Sequence, residues 1–338
     1  EYWENLSLIK RNISNGLLKA LDTKINLEIN TKNINAEAYE LYLKGKYRYL
    51  LRENSKDLDI SRELLNKAIQ IDDNSISATL LLGDSYIQFG DLDKSLYYFN
   101  QGLTKANNTN NTNKIIEASI CIGWSHSRKG NYEKTKESFN SALYLAKEIN
   151  DIRGIAQALN GMATIYDYTC DYDKKIQYYK EALELNRTIE NKFSTLAVLA
   201  NLGDVYRFIG QYEESLECFH SILNTAKKDD IKRWITNVLT LIGNVYVDLN
   251  DYKQALKYFE KSFLIMQDVG IEYITTEDKL FYSIRYELSR KMCGKKYDNE
   301  KIISLFSEME YKGAHLLWEA YDRYAIYQLL EDTSYLET

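Results

Sequence analysis

Residues 201–219 decide the fold of this chain, and they read NLGDVYRFIGQYEESLECF. The first part has apolar residues on one face at helical spacing, which predicts a helix with a single buried stripe. Gly210 ends this helix, because glycine adopts the left-handed cap conformation at little cost. The inward positions are Leu199, Leu202 and Tyr206 in the first helix and Ser215, Phe219 and Ile222 in a second, antiparallel helix. The stretch therefore predicts a helical hairpin.

The same pattern recurs in five copies at a fixed interval of 40 residues. Each copy has a small residue, a turn residue seven positions later and an aromatic residue nine positions after that. The small residues are Gly83, Gly123, Ala163, Gly203 and Gly243; the turn residues are Gly90, Gly130, Cys170, Gly210 and Asn250; the aromatic residues are Phe99, Phe139, Tyr179, Phe219 and Phe259. One hairpin cannot cover its own apolar face, so the copies are expected to stack.

The composition agrees with a helical array. The chain has 338 residues, more than the roughly 250–300 at which single cores stop growing. It contains no proline and only 15 glycines, which fits long helices better than turn-rich β folds. Its 29 tyrosines and 10 phenylalanines exclude a disordered chain. We predict an all-α fold, an α-solenoid in which antiparallel helix pairs wind into a right-handed superhelix.

Charge and cysteine usage limit the partners and the compartment. The formal net charge is −6 and no basic stripe is present, so direct binding of nucleic acid is not expected. No apolar run reaches the roughly 18 residues that a membrane helix needs. The four cysteines are widely spaced and form no Cys-x-x-Cys pair, which favours a reducing, cytoplasmic setting.

No catalytic or metal-binding constellation stands out. The chain has three histidines, and His126 occupies the repeated aromatic position, where a packed side chain is expected. The phosphate-binding Gly-x-x-x-x-Gly-Lys, the Gly-x-Ser-x-Gly elbow and the zinc motif His-Glu-x-x-His are all missing from the sequence. We therefore predict that the chain is not an enzyme and has no catalytic residue, metal or cofactor.

The repeated strings resemble the two-helix signature of the tetratricopeptide repeat family. The resemblance rests on residues 201–219 and on 242–259, and it extends over roughly 76–275. The family's usual period is about 34 residues, so a period of 40 implies helices of about 18 residues. That longer form resembles the arrays of bacterial peptide-pheromone receptors and of Leu-Gly-Asn-repeat scaffold proteins. The proline that often closes a repeat is absent.

The flanks diverge from the repeat, which suggests four regions. We predict an N-terminal helix and linker over 1–34, a divergent first repeat over 35–75, five repeats over 76–275, and a degenerate repeat with capping helices over 276–338. The junction near residues 35–45 resembles the entry into the repeat region of bacterial multidomain regulators with a class III adenylyl cyclase or a winged-helix domain. Because the chain begins at Glu1 without methionine, we expect an excised piece of such a regulator.

The family resemblance implies that the first helix of each repeat lines a concave groove. The face opposite the packed stripe then gives the candidate site. Asparagine amides suit a peptide backbone because they donate and accept together, and arginine suits a carboxylate. Aromatic side chains suit an apolar residue. The candidates are Asn160, Asn201, Asp204, Arg207, Asn237, Asn244, Trp124, Tyr168 and Phe208.

The leading hypothesis is a non-catalytic scaffold that binds a protein or peptide in its groove. Aspartates outnumber arginines on the predicted groove face, so a polar or basic ligand is expected. One alternative is a sensor that changes superhelix pitch when it binds a short signalling peptide. Another is self-assembly into a homo-oligomer through the tyrosine-rich C-terminal end.

Overall fold

The computed structural model describes residues 35–50, 52, 55–269, 276–311 and 327–330, and the regular elements within these ranges are all helical. The helices are α1 (Ala36–Leu50), α2 (Ser55–Ile71), α3 (Ile76–Ile87), α4 (Leu92–Asn108), α5 (Thr112–Arg128), α6 (Tyr132–Glu148), α7 (Ile152–Ala163), α8 (Tyr172–Thr188), α9 (Lys192–Phe208), α10 (Tyr212–Lys228), α11 (Lys232–Asp248), α12 (Tyr252–Val269), α13 (Thr276–Met292) and α14 (Asn299–Tyr311). Helix α7 continues into a 3-10 turn over Thr164–Asp167. The predicted helix at Leu6–Ile25 and most of the one at 313–331 lie outside the described residues.

Consecutive helices pack as hairpins, from α1–α2 to α13–α14, and each hairpin packs on the next. We number these hairpins first to seventh. The inward stripes predicted for residues 199–222 are buried in the fifth hairpin, α9–α10. The array of stacked helix pairs confirms the predicted fold class.

The 20-residue half-period is a 17-residue helix followed by a three-residue link. In the link between α4 and α5, Asn110 adopts a left-handed conformation with φ of 49°, and the Asn111 amide donates to the Ala106 carbonyl at 2.9 Å. The Asn111 side chain then caps α5 by accepting from the Lys114 amide. This left-handed link ends a helix without proline. The other left-handed residues are Gly90, Gly130, Asn150, Cys170, Glu190, Gly210, Asp230, Asn250 and Gly294.

Close helix approach explains the small residue in each hairpin. A Cβ placed on Gly203 would lie 2.5 Å from the ring of Phe219, far inside van der Waals contact. Gly83, Gly123 and Gly243 make the same approach to the phenylalanine of their own hairpin. The fully buried phenylalanine ring thus occupies the volume that a side chain would need.

The odd-numbered helices form the inner layer of the array. From α1 to α13, most consecutive odd-numbered helices contact each other directly as well as contacting their even-numbered partners. Even-numbered helices do not make comparable contacts with one another within the described residues. The layer with the closer helix spacing lies on the inside of a curved stack, so the odd-numbered helices carry the concave surface, here called the inner surface.

The array also curls back on itself. The Arg233 guanidinium, at the start of α11, donates to the Arg52 carbonyl between α1 and α2 at 3.4 Å. This contact joins the first and sixth hairpins across 181 residues of sequence. The inner surface is therefore enclosed by a superhelical turn.

Candidate functional site

Polar contacts tie consecutive odd-numbered helices together along the inner surface. The tied pairs are Tyr49 with Asp84, Arg128 with the Ile87 carbonyl at 3.4 Å, Ser127 with Thr164 at 3.4 Å, Asn201 with Asn160 at 3.1 Å, Arg207 with Asp248 at 2.6 Å, and Arg285 with Asp248 at 2.9 Å. Every step from α1 to α13 has one such tie. The ties set the spacing between hairpins and so the curvature of the surface.

The ties from α9 to α13 form an alternating ladder of charges. Arg207 lies between Asp204 and Asp248, at 3.4 and 2.6 Å, and Asp248 also accepts from Arg285. Burial raises the pKa of the Asp204 carboxyl despite the nearby Arg207 guanidinium. Burial alone would lower the pKa of Arg207, but the two aspartates raise it above its ordinary value. Arg207 is thus a buried cation held by the protein's own carboxylates.

A second polar cluster lies at the opposite end of the inner surface. The Tyr49 hydroxyl donates to Asp84, and Arg52 stacks on the Tyr49 ring while donating to Gln88 at 3.2 Å. Burial and then the Asp84 charge raise the pKa of Tyr49 well above its ordinary value, and burial raises that of Asp84. This cluster joins α1 to α3 beside the contact between Arg52 and Arg233.

The inner layer opens at the fourth hairpin. Helices α7 and α9 make less direct contact than the other consecutive odd-numbered pairs from α1 to α13, and a cavity of about 120 Å³ lies beside them. Its lining comes from four helices, α5, α7, α8 and α9, and consists of Ile120, Trp124, Ala156, Gln157, Asn160, Asn186, Ser194, Ala197 and Val198. None of these nine lining side chains is ionisable.

Asn186 is the deepest polar residue of this cavity. It lies on α8, it is 1% exposed, and its Oδ1 has no hydrogen-bond partner among the described residues. Positions 106, 146 and 226, which have the same place in the other hairpins, are fully buried alanines. An unpaired buried amide destabilises a fold, so its presence here needs an explanation.

The structure gives the predicted polar site residues different roles. Asn160 and Asn201 pair with each other, and Arg207 pairs with Asp204. Asn237 is exposed. Asn244 is 1% exposed, and its Nδ2 has no partner in the part of the chain that is described. Binding of a ligand carboxylate by Arg207 would therefore compete with two internal ion pairs.

The predicted aromatic site residues are divided in the same way. Tyr168 packs edge-on against Tyr132 of the preceding hairpin at 5.1 Å, and Phe208 packs against Tyr172 at 5.2 Å. Trp124 packs edge-on against Phe139 at 5.3 Å and also lines the cavity. Of the nine candidates, the cavity brings together Trp124 and Asn160.

The sequence-based choice of site residues omitted Asn186, because it considered only the first helix of each repeat. A signal was present, since an alignment of the copies at 40-residue spacing shows Ala, Ala, Asn and Ala at positions 106, 146, 186 and 226. Such a polar exception in an apolar register marks a place where a fold departs from its own rule.

Within the described residues, no helix is long and apolar enough to cross a membrane. The same residues contain no group of three or more His, Cys, Asp or Glu side chains that could hold a metal ion.

Tetratricopeptide repeat models match residues 156–189 and 194–268. These matches cover the fourth to sixth hairpins, which lie within the five copies at 40-residue spacing. No curated protein sequence matches the chain at a significant level.

Solved structures share the fold at low sequence identity. A signal transduction ATPase with numerous domains and a tetratricopeptide repeat sensor, from Pyrococcus horikoshii, is 15% identical with a TM-score of 0.60; the match covers 92% of this chain and 50% of that one. A Rap protein complexed with Competence and Sporulation Factor is 16% identical with a TM-score of 0.61, over 86% of this chain and 81% of that one. A Rap conjugation gene regulator of the plasmid pLS20, in complex with a Phr peptide, is 16% identical with a TM-score of 0.59, over 90% and 77%.

The chain thus spans half the length of the Pyrococcus protein and most of the Rap proteins. The family matches fall on hairpins whose small residue, left-handed link and buried aromatic ring follow one rule from the second hairpin to the sixth. The chain is therefore a tetratricopeptide repeat protein, folded as an α-solenoid with repeats of 40 residues.

Proposed function

We propose that this chain is a non-catalytic module that binds a peptide or a partner protein along its inner surface, as part of a larger cytoplasmic regulator. The observation that carries the proposal is a continuous inner layer from α1 to α13 whose floor opens into a polar cavity at the fourth hairpin. A surface built this way suits an extended chain, because each hairpin offers the ligand a further set of side chains.

The chemistry of this surface favours a polar or basic ligand. Asp84, Asp167, Asp204 and Asp248 lie on its elements, and the arginines beside them are already engaged with the protein's own acceptors. Because Arg207 and Arg285 are buried in ion pairs, they are poorly placed to receive an acidic peptide. The two Rap structures, of similar fold, were solved with a factor and a peptide respectively, which supports a peptide as the ligand class.

The test is selection of pentapeptides from a randomised library by the immobilised chain, read by mass spectrometry. Asn201→Ala and Asn237→Ala remove inner-surface amides without touching the buried ion pairs, and Asn140→Ala removes an exposed amide of α6 as the matched control. We expect the first two variants to lose selected peptides and the control to keep them. Equal enrichment by all three variants would overturn binding at this surface.

A second function, sensing through a change of pitch, is favoured by the contact between Arg233 and the Arg52 carbonyl. This contact closes the superhelical turn, so a ligand that alters the pitch must alter it. Small-angle scattering with and without a selected pentapeptide measures the change. A radius of gyration that stays constant at saturating peptide would exclude the sensor and leave the binding module.

A further inference from the structure

The cavity at the fourth hairpin carries a more specific inference, which rests on the proposed function. Its volume of about 120 Å³ corresponds to about four water molecules at roughly 30 Å³ each, or to one short side chain. The cavity adjoins the inner surface through Trp124, Gln157 and Asn160, which lie on α5 and α7. A peptide lying along that surface could therefore insert one side chain into it.

The polar lining identifies the chemistry of that side chain. Asn186, Gln157 and Asn160 contribute carboxamides, Ser194 contributes a hydroxyl, and no charged group is present among the nine lining residues. A carboxylate or an ammonium group would lose its hydration here without gaining an opposite charge, which is strongly unfavourable. A neutral group that both donates and accepts hydrogen bonds suits the lining better.

Asn186 provides the second, independent observation. Its side chain is buried in the wall of the cavity, its Oδ1 lacks a partner among the described residues, and alanine is the residue at this register in the neighbouring hairpins. A carboxamide is the natural partner of another carboxamide, because each offers one acceptor oxygen and one donor NH₂. The pairing holds whichever way the Asn186 amide is turned.

Trp124 adds a flat apolar wall to the cavity. Its ring is held edge-on by Phe139 at 5.3 Å, so its orientation is fixed by the core. We propose that this cavity is a subsite for the side chain of an asparagine or glutamine in a peptide bound along the inner surface. The amide of that residue pairs with Asn186, and its methylene stem lies beside Trp124.

The experiment uses the full chain and two tripeptide probes, acetyl-Ala-Gln-Ala-amide and acetyl-Ala-Met-Ala-amide, which differ in the hydrogen-bonding capacity of one side chain. The indole N–H signal of Trp124, assigned with Trp124→Phe, reports binding in nitrogen-15 NMR titrations. The Asn186→Ala variant tests the subsite, and this variant is expected to fold because it restores the alanine of positions 106, 146 and 226. Asn140→Ala is the control.

We expect the glutamine probe to shift the Trp124 signal and the methionine probe to bind about tenfold more weakly or not at all, as expected for loss of one buried hydrogen bond. Asn186→Ala should abolish the difference between the probes, and Asn140→Ala should keep it. No shift with either probe, or equal affinities in the wild-type chain, would overturn the subsite and leave a cavity that holds water only.

The pentapeptide selection separates this result from the proposed function. Selected peptides without enrichment of asparagine or glutamine, bound equally by Asn186→Ala, would overturn the subsite while the binding module stands. A Trp124 shift that depends on Asn186, without any selected pentapeptide, would support the amide subsite and count against the longer binding surface.

Discussion

The fourth hairpin, α7–α8, and the fifth, α9–α10, occupy consecutive places in one array but pack differently. In the fifth, Gly203 lets the Phe219 ring approach the backbone, and α9 runs unbroken for 17 residues. In the fourth, Ala163 and Tyr179 stand at those positions, and α7 gives way to a 3-10 turn at Thr164, the residue after Ala163. The Cβ of Ala163 takes up volume that the ring has in the regular hairpin, and we attribute the change of helix type to this.

The difference extends to the register of Asn186. The fifth hairpin has the fully buried Ala226 there, and the fourth has a buried amide beside a cavity. Departures from the repeat rule are thus concentrated in one copy, at positions 163, 170, 179 and 186. A repeat protein that needs a specific site has to break its repetition somewhere, and the fourth hairpin is where this chain does so.

The largest expected effect concerns the tie that follows the fifth hairpin. Arg207→Ala removes a buried cation and leaves Asp204 and Asp248 without it, so we expect a loss of about 3–5 kcal/mol in the free energy of unfolding. The equivalent tie of the fourth hairpin, between Asn160 and Asn201, is a neutral hydrogen bond. Asn201→Ala should therefore lose only about 1 kcal/mol. Urea denaturation measures both, and equal losses would contradict this contrast.

The next effect tests the close approach of helices in the regular hairpin. Gly203→Leu forces a side chain into the volume of the Phe219 ring, and we expect a loss of about 3 kcal/mol from overpacking. The matched change in the irregular hairpin is Ala163→Gly, which removes a methyl group and should lose about 1 kcal/mol or less. Thermal unfolding followed by circular dichroism compares the two. A Gly203→Leu variant as stable as the wild-type chain would show that the ring has room to move.

The sequence was sufficient to predict the hairpins but only part of the site. Helix positions, left-handed links and buried rings recur at 40-residue spacing, so five copies report the same local physics and errors average out. The predicted helix length of about 18 residues is close to the observed 17. Residues such as Arg207, Tyr168 and Phe208 were chosen from one helix face, and that face cannot reveal contacts with the next hairpin. Their partners Asp248, Tyr132 and Tyr172 lie 36–41 residues away in sequence.

A smaller effect tests whether the Asn186 register tolerates polarity elsewhere. Ala226→Asn places a carboxamide at the fully buried position of the fifth hairpin, and Ala226 does not line the cavity. We expect a loss of about 1–3 kcal/mol, because the amide is desolvated without a partner. Asn186→Ala should in contrast leave the stability unchanged or raise it by about 1 kcal/mol. Urea denaturation of both variants decides this, and a destabilised Asn186→Ala would mean that the amide already has a structural partner.

The smallest effect concerns the third hairpin, where His126 replaces the tyrosine found at positions 166, 206 and 246. Burial lowers the pKa of His126 below its ordinary value of 6.5, and Lys134 and Lys129 act in the same direction. Between the lowered pKa and 6.5 the unfolded chain binds more protons than the folded chain, so stability falls as the pH drops through this range. His126→Tyr removes this contribution, while His220 and His315 remain in both proteins. Denaturation midpoints above and below pH 6.5 should therefore show a larger acid-induced loss for the wild-type chain than for the variant, and parallel midpoints would mean that His126 titrates alike in both states.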